Sequence, residues 1–110
     1  MEARSVISNL EKLLSEGKES ALLRFSLGSE YFKLSEIWVA VFQLKRALEL
    51  DPNYSAAWKL LAVALASGGV LNEALNTCRR GIEIARQHGD LQAAKEMTVF
   101  ARRLKKKLSS

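Results

Sequence analysis

Residues 21–54 match residues 55–88 when the 110-residue chain is laid on itself with an offset of 34. Small residues meet small residues in this alignment, as Gly28 meets Ala62. Inside each stretch, apolar residues recur three and four positions apart, which is the spacing along one face of an α-helix. A unit of this length buries its apolar face only against a neighbouring unit, so the repeat predicts stacked helical hairpins.

Proline and glycine divide the helical pattern into six segments. Pro52 stops one helix because proline disfavours a helical conformation in the residue before it, and Gly17 marks another helix end. Ser35, Asn53 and Asp90 each precede a predicted helix, where a side-chain oxygen can accept a backbone N–H. The short links predict antiparallel neighbours and an all-α fold built as an array of helical hairpins. The predicted helices span about residues 2–15, 20–33, 36–50, 54–67, 71–87 and 91–108.

Many residues of the two stretches stand at the spacings of one known motif. In the first stretch these are Leu27, Gly28, Tyr31, Ala40, Leu44, Ala47 and Pro52; in the second they are Trp58, Leu61, Ala62, Leu65, Ala74, Cys78 and Gly81. The pattern resembles that of the tetratricopeptide repeat (TPR) family, whose 34-residue unit is a helix–turn–helix. The chain departs from it at Arg24, where the family usually has tryptophan, and at Arg86, where it usually has proline.

The flanking helices fit the motif less completely. The first helix resembles a second half-repeat, with Val6, Leu10 and Leu13 at the core places. The last helix would bring polar side chains to core places if it kept the register of the repeats, so we expect a capping helix in a register of its own. The resemblance therefore implies one TPR-like α-solenoid domain. Its parts are a half-repeat helix at 2–15, repeats at 21–54 and 55–88, and a capping helix at 90–108, within residues 1–110.

The residues that carry catalysis and metal binding are scarce. The chain has one cysteine, Cys78, and one histidine, His88, so it cannot supply the three or four ligands of a zinc site. Gly68 and Gly69 stand between two helices and lack the spacing of a phosphate-binding loop. We therefore expect a protein that is not an enzyme and binds no cofactor or metal.

The chain carries no pattern of a targeting or membrane segment. No run of 18 apolar residues is present, and the acidic Glu2 is followed by a mixed helical pattern rather than by a signal peptide. A single cysteine suits a reducing compartment, because no internal disulfide can form. These features predict a cytoplasmic protein.

The resemblance implies that the chain binds a peptide or protein segment, of unknown identity, in a concave groove formed by the first helices of the repeats. Phe25 and Ser29 replace the Lys and Asn with which some family members clamp a terminal carboxylate, so that clamp is absent. An apolar trough with lysines on it is expected instead. The alternative is that the last helix fills the trough with Met97, Phe100 and Leu104. The predicted groove residues are Leu22, Phe25, Ser29, Phe32, Lys33, Lys59 and Val63.

A second candidate surface is apolar and lies on the third helix. Trp38, Val39 and Phe42 occupy places that are usually polar, and Trp38 and Phe42 share one helix face because they are four residues apart. Exposed aromatic clusters often mark association sites, so homo-oligomerisation through this surface is one hypothesis. The alternative is that one ring folds down onto a neighbouring helix.

The third candidate is the basic end of the chain. Lysines and arginines outnumber acidic residues by 17 to 12, and five of them supply the whole excess. These are Arg102, Arg103, Lys105, Lys106 and Lys107. A solvated capping helix explains them, and so would electrostatic contact with nucleic acid or an anionic membrane. We expect neither nucleic acid nor membrane as a partner, because a solvated capping helix accounts for the charges. For nucleic acid there is a further reason, since no aromatic residues alternate with these charges.

Overall fold

The computed structural model describes residues 2–110, which form six α-helices joined by short turns. The helices are α1 (Ala3–Ser15), α2 (Ala21–Lys33), α3 (Ile37–Leu50), α4 (Ser55–Ser67), α5 (Leu71–Gln87) and α6 (Leu91–Leu108). Each predicted helix is present, with ends within one residue of the expected positions. The all-α prediction is therefore confirmed.

The contacts between the helices show that they form a curved stack. Each helix packs against the next one along the chain, and α2, α4 and α6 also contact one another in sequence. Within residues 2–110 the backbone of α3 approaches neither that of α1 nor that of α5, although Lys45 of α3 forms an ion pair with Glu73 of α5 at 3.1 Å. The first helices of the hairpins are therefore the closer set, and they form the concave side of the stack.

Small residues allow the helices to approach closely. A β-carbon at Gly81 of α5 would lie 2.6 Å from Sδ of Met97 on α6 and 2.8 Å from Cβ of Trp58 on α4. A larger side chain there would push both neighbouring helices away from α5, because protein interiors are close-packed. The largest fully buried side chains are Leu27, Leu44, Leu65, Met97 and Cys78.

Polar contacts occupy the place where the motif has its first tryptophan. The guanidinium of Arg24 donates to the side-chain oxygen of Gln43 on α3 at 2.9 Å and forms an ion pair with Glu19 at 2.7 Å. Glu19 also accepts from Arg46 of α3, at 2.8 Å. This cluster joins α2 to α3 by hydrogen bonds where an aromatic ring would join them by packing.

Two of the three predicted helix caps are wrong. Ser35 has a φ of 60°, and Glu36 rather than Ser35 precedes α3, without a side-chain cap. Tyr54 precedes α4, while the backbone N–H of Asn53 donates to the Asp51 carboxylate at 3.0 Å. The expected cap at Asp90 is confirmed, since its carboxylate accepts the N–H of Ala93 at 3.1 Å.

The last helix does have its own register. Helix α4 begins 34 residues after α2, whereas α6 begins 36 residues after α4. The shift arises because α5 runs three residues further than α3 does, and the turn that follows is one residue shorter. As a result Ala94, Met97 and Ala101 are buried, while Lys95 and Glu96 are exposed.

The first helix is less buried than the sequence suggests. Ile7 is its only buried residue within the described part of the chain, Val6 and Leu10 are half-buried, and Leu13 is 37% exposed. Among the described residues α1 packs against α2 alone, and an ion pair from Arg4 to Glu36 at 3.6 Å reaches the residue before α3. Most side chains that point away from α2 are therefore left uncovered.

Candidate functional site

A groove lies on the concave side between α2 and α4. It contains an open cavity of about 290 Å³. The side chains that line it are Phe25, Ser29, Ala56, Lys59, Leu60 and Val63. Four of the predicted groove residues, from two different helices, are therefore brought together.

The aromatic wall of the groove is held in place by the turn before α4. The ring of Phe25 lies 5.0 Å from that of Tyr54, centroid to centroid, and is tilted by 34°. Tyr54 belongs to the turn that Pro52 begins, and the Pro52 carbonyl accepts the indole N–H of Trp58 at 2.8 Å. The groove wall is consequently formed before any ligand arrives.

The remaining predicted groove residues lie outside this cavity. Leu22 is exposed near the start of α2, and Phe32 packs against the core. The ammonium of Lys33 is paired with the Glu30 carboxylate at 2.8 Å. These three side chains are therefore not part of the cavity lining.

Helix α6 extends the groove and does not fill it. Among the described residues α6 contacts α4 and α5 but not α2, and Met97 and Leu104 are buried in the core. The alternative in which the last helix occupies the trough is therefore wrong. A further cavity of about 300 Å³ continues the concave side; its lining includes Gln92, Lys95, Glu96, Val99 and Arg103.

An ion pair crosses the concave side between α4 and α6. The ammonium of Lys59 donates to the carboxylate of Glu96, which also accepts from the amide of Gln92 at 2.9 Å. The hydrogen bond from Lys59, followed by that from Gln92, lowers the pKa of Glu96 below its usual range. Sequence reasoning missed Glu96 because the candidate groove residues were taken only from the motif positions of α2 and α4.

The apolar surface on α3 is exposed. Trp38 is 55% exposed, Val39 41% and Phe42 64%. The edge of the Trp38 ring lies against Gly68 at the end of α4, where a β-carbon would be 2.8 Å from the ring. The indole therefore leans on the next turn with one edge and leaves the rest uncovered.

The five basic residues of α6 fall on different sides of the helix. All five are exposed. Arg103 lines the concave side, whereas Arg102 and Lys105 face a groove between α5 and α6. Lys106 and Lys107 belong to the last helical turn, where their charges complement the helix dipole.

Chemically reactive side chains are not gathered at any of these surfaces. Across residues 2–110 no three His, Cys, Asp or Glu side chains are placed to hold a metal ion, and no helix is long and apolar enough to cross a membrane. Burial raises the pKa of the Cys78 thiol to about 11, which keeps it protonated and unreactive.

Comparison with known proteins points to one family. A family model described as tetratricopeptide repeat matches residues 40–97, which is more than half of the chain. A TPR repeat-containing protein of Pseudomonas aeruginosa is 46% identical over 99 residues, covering 90% of this chain and 94% of that protein.

Solved structures show the same arrangement of helices. The solution structure of a protein from Bordetella parapertussis has a TM-score of 0.84 and 37% identity, and the match covers 93% of this chain and 89% of that one. A tetratricopeptide repeat domain protein from Salinibacter ruber has a TM-score of 0.73 at 23% identity, with coverage of 78% and 87%. The second of these supports the fold alone.

Proposed function

Because the chain belongs to the tetratricopeptide repeat family, we propose that it is a non-catalytic module that binds a segment of another protein in the groove between α2 and α4. Domains of this family generally mediate protein–protein interaction. The observation that carries the proposal is the cavity in which Phe25 and Val63, from two different helices, form an apolar surface beside the ammonium of Lys59. We place this activity in the cytoplasm.

The lining of the groove indicates the chemistry of the segment. Phe25, Leu60 and Val63 favour apolar side chains, while Lys59 favours a carboxylate next to them. Because packing against Tyr54 and the core already fixes the groove, little side-chain entropy is lost when the segment binds. A short extended or helical segment with apolar residues and one acidic residue fits this description.

The test is capture of a binding protein from a native cell extract on the immobilised chain. The wild-type chain is compared with the double variant F25A/K59E, which removes the aromatic wall and reverses the charge. The matched control is F42A/K45E on the convex side, because it makes the same changes in residue type outside the groove. Circular dichroism establishes that each variant is helical before its captured proteins are compared.

We expect the same protein on the wild-type chain and on F42A/K45E, and we expect it to be absent from F25A/K59E. Equal capture by all three chains, or no captured protein, would contradict the proposal. Loss from F42A/K45E alone would place binding on the convex side.

A second candidate function is assembly of copies through the surface formed by Trp38, Val39 and Phe42. The corresponding places are polar on the two other convex helices, with Arg4 and Ser8 on α1 and Asn72 and Asn76 on α5. An apolar surface confined to α3 is therefore a specific feature of this helix, and tryptophan is common among residues that dominate interfaces.

Sedimentation over a range of concentrations tests this candidate. If copies associate through α3, the wild-type chain forms a dimer and W38S/F42S remains a monomer with the same helicity. A wild-type chain that stays monomeric at high concentration rules the candidate out.

A further inference from the structure

The outer face of α6 is shaped like the faces of α2 and α4 that pack against the next helix. On α2, Gly28 packs against Leu44 of α3, and on α4, Trp58 packs against Gly81 of α5. The shift of 36 residues places Ala94 and Thr98 of α6 at the positions of Trp58 and Ala62 on α4. The same helix face is covered by a helix on α2 and on α4, and it is open on α6.

This open face forms a groove with an apolar floor. Two cavities of about 350 and 500 Å³ share Arg86, Thr98 and Arg102 and so join into one groove along α5 and α6. Leu91 at one end is 68% exposed and Val99 is 39% exposed, while Ala94 lies on the floor between the helices. Leucine and valine at a groove floor gain free energy when an apolar side chain covers them.

The rim of the groove is basic and its charges are unpaired. Five cationic side chains line the two cavities, against one carboxylate, that of Glu83, which is paired with Arg80 at 3.7 Å. Among the described residues none of the five forms an ion pair with a carboxylate. The five are Arg79, Arg86, Lys95, Arg102 and Lys105.

We propose that the groove between α5 and α6 is a second binding site and that it takes an acidic amphipathic α-helix of a partner protein. It borders the concave side along Lys95 and Val99, which line cavities on both sides, but it shares no residue with the groove between α2 and α4. A helix is the ligand because this face is equivalent to the faces of α2 and α4 that a helix covers. The helix is acidic because an apolar or basic one would take five unpaired cations out of water without compensation.

The groove floor also limits the size of the side chain at the centre of the partner helix. Gly28 of α2 leaves room for the large side chain of Leu44, but the equivalent place on α6 holds Thr98. The partner helix therefore presents alanine or glycine there. The stretch from Leu91 to Lys105 corresponds to about 21 Å of helix, so a helix of roughly 14 residues is long enough to cover it.

The apolar floor distinguishes this ligand from nucleic acid and lipid. The lining contains no aromatic ring on which a base could stack, and exposed Leu91 and Val99 would lie under a phosphate backbone. A membrane surface would contact protruding residues, whereas Ala94 and Thr98 lie between two helices. Cations around an apolar floor match a peptide helix with leucines on one face and carboxylates beside them.

Selection from a displayed library of 16-residue helical peptides tests the proposal directly. The peptides keep apolar residues at helical spacing, the central position of the apolar face varies among Gly, Ala, Val and Leu, and the flanking positions vary freely among Asp, Glu, Gln, Lys and Arg. Selection is on the wild-type chain, and the enriched peptides are then measured on R86E/R102E and on L91Q/V99Q. The control with matched charge is K12E/K18E, since Lys12 is on α1, Lys18 is in the turn that follows α1, and neither lines a groove.

We expect Asp and Glu to be enriched at the flanking positions and a small residue to be enriched at the centre of the apolar face. Affinity for the enriched peptides should fall about tenfold or more on R86E/R102E and on L91Q/V99Q, and stay within about twofold on K12E/K18E. Circular dichroism checks that the variants remain helical.

Several results would overturn the proposal. One is enrichment of basic or neutral flanks, or no enrichment; another is affinity that is unchanged on both groove variants. A 12-nucleotide RNA or a phosphatidylserine vesicle that binds more tightly than the peptides, and loses binding on R86E/R102E, would assign the groove to nucleic acid or lipid. A wild-type dimer that R86E/R102E converts to monomer would show that a second copy covers it.

Discussion

Gly28 of α2 lies so close to Leu44 of α3 that a β-carbon on the glycine would be 2.7 Å from Cγ of the leucine. The same β-carbon would be 3.3 Å from the carbonyl oxygen of Ala40, which belongs to the backbone and cannot move aside cheaply. The distance between α2 and α3 is therefore set by the absence of a side chain at one position.

Replacing Gly28 by alanine should destabilise the protein. Alanine favours a helix by about 1 kcal/mol over glycine, but overpacking a tight core costs about 1–3 kcal/mol, and Leu44 is fully buried. We expect the free energy of unfolding in urea to fall by up to about 2 kcal/mol. The control is S26A on the same helix; an equal or higher midpoint for G28A would contradict the close approach.

Replacing Ser35 by glycine should stabilise the protein. Ser35 follows α2 with a φ of 60°, and the equivalent places after α1, α4 and α5 hold Gly17, Gly69 and Gly89, all with positive φ. Glycine adopts this conformation without the steric cost that serine has, so we expect S35G to raise the free energy of unfolding by about 1 kcal/mol. Thermal unfolding measures the change; a lower melting temperature for S35G would contradict it.

Acid should weaken the contact between the α1–α2 turn and α3. Hydrogen bonds from Arg46 and then Arg24 lower the pKa of Glu19 from 4.5 to about 2. A pKa lowered by folding stabilises the protein at pH values above the pKa of the unfolded chain, and that contribution is lost as the pH falls from about 5 to about 2.

Urea midpoints at pH 7, 4 and 2.5 check this effect. Between pH 7 and pH 2.5 the urea midpoint of the wild-type chain should fall further than that of E19Q, which cannot titrate at this position. The control is E83Q, which should follow the wild-type curve. Parallel curves for wild type and E19Q would contradict the assignment.

The thiol of Cys78 should react only when the protein opens. It is fully buried, and burial raises its pKa to about 11, so about one thiol in a thousand is ionised at pH 8. The unfolded thiol, with a pKa near 9, is about a hundred times more ionised at pH 8, so we expect reaction with an aromatic disulfide reagent to be at least about a hundredfold slower in the folded protein than in the urea-unfolded chain. The variant S109C provides an exposed reference thiol; equal rates for the two cysteines would disprove the burial.

Removing the carboxylate that neutralises Lys59 should strengthen binding of an acidic segment in the concave groove. In E96Q the ammonium of Lys59 is free to pair with a carboxylate of the ligand, and we expect affinity for the captured partner to rise about three- to tenfold. Calorimetry of the partner segment on wild type, E96Q and the control E83Q measures it. Unchanged or weaker binding to E96Q would show that Lys59 takes no part in recognition.

The sequence predicted the helices and the stack because both depend on patterns that are local and repeated. The register of α6 was expected to differ, but the size of the shift could not be read, since it depends on how far α5 continues past the place where proline ends α3. The turn at Ser35 was missed because the residue type there is not the one its conformation favours.

The candidate groove residues on α2 and α4 were predicted from the repeat spacing alone. The contribution of α6, with Glu96 beside Lys59, required the shifted register and could not be reached from the motif. The open groove with Arg86 and Arg102 is formed by two helices, α5 and α6. Which basic residues of α6 face this groove and which face the concave side depends on how the two helices pack, so the sequence alone did not predict it.

Every helix packs against helices that are next to it, or next but one, along the chain. Contacts of this kind close only short loops, so they carry a small entropic barrier during folding. The polypeptide should therefore acquire its native topology quickly, on the microsecond-to-millisecond timescale of helical proteins with low contact order. Folding should propagate from whichever hairpin forms first, and α1, held by a single neighbour, should be the first helix to detach when the protein is pulled or heated.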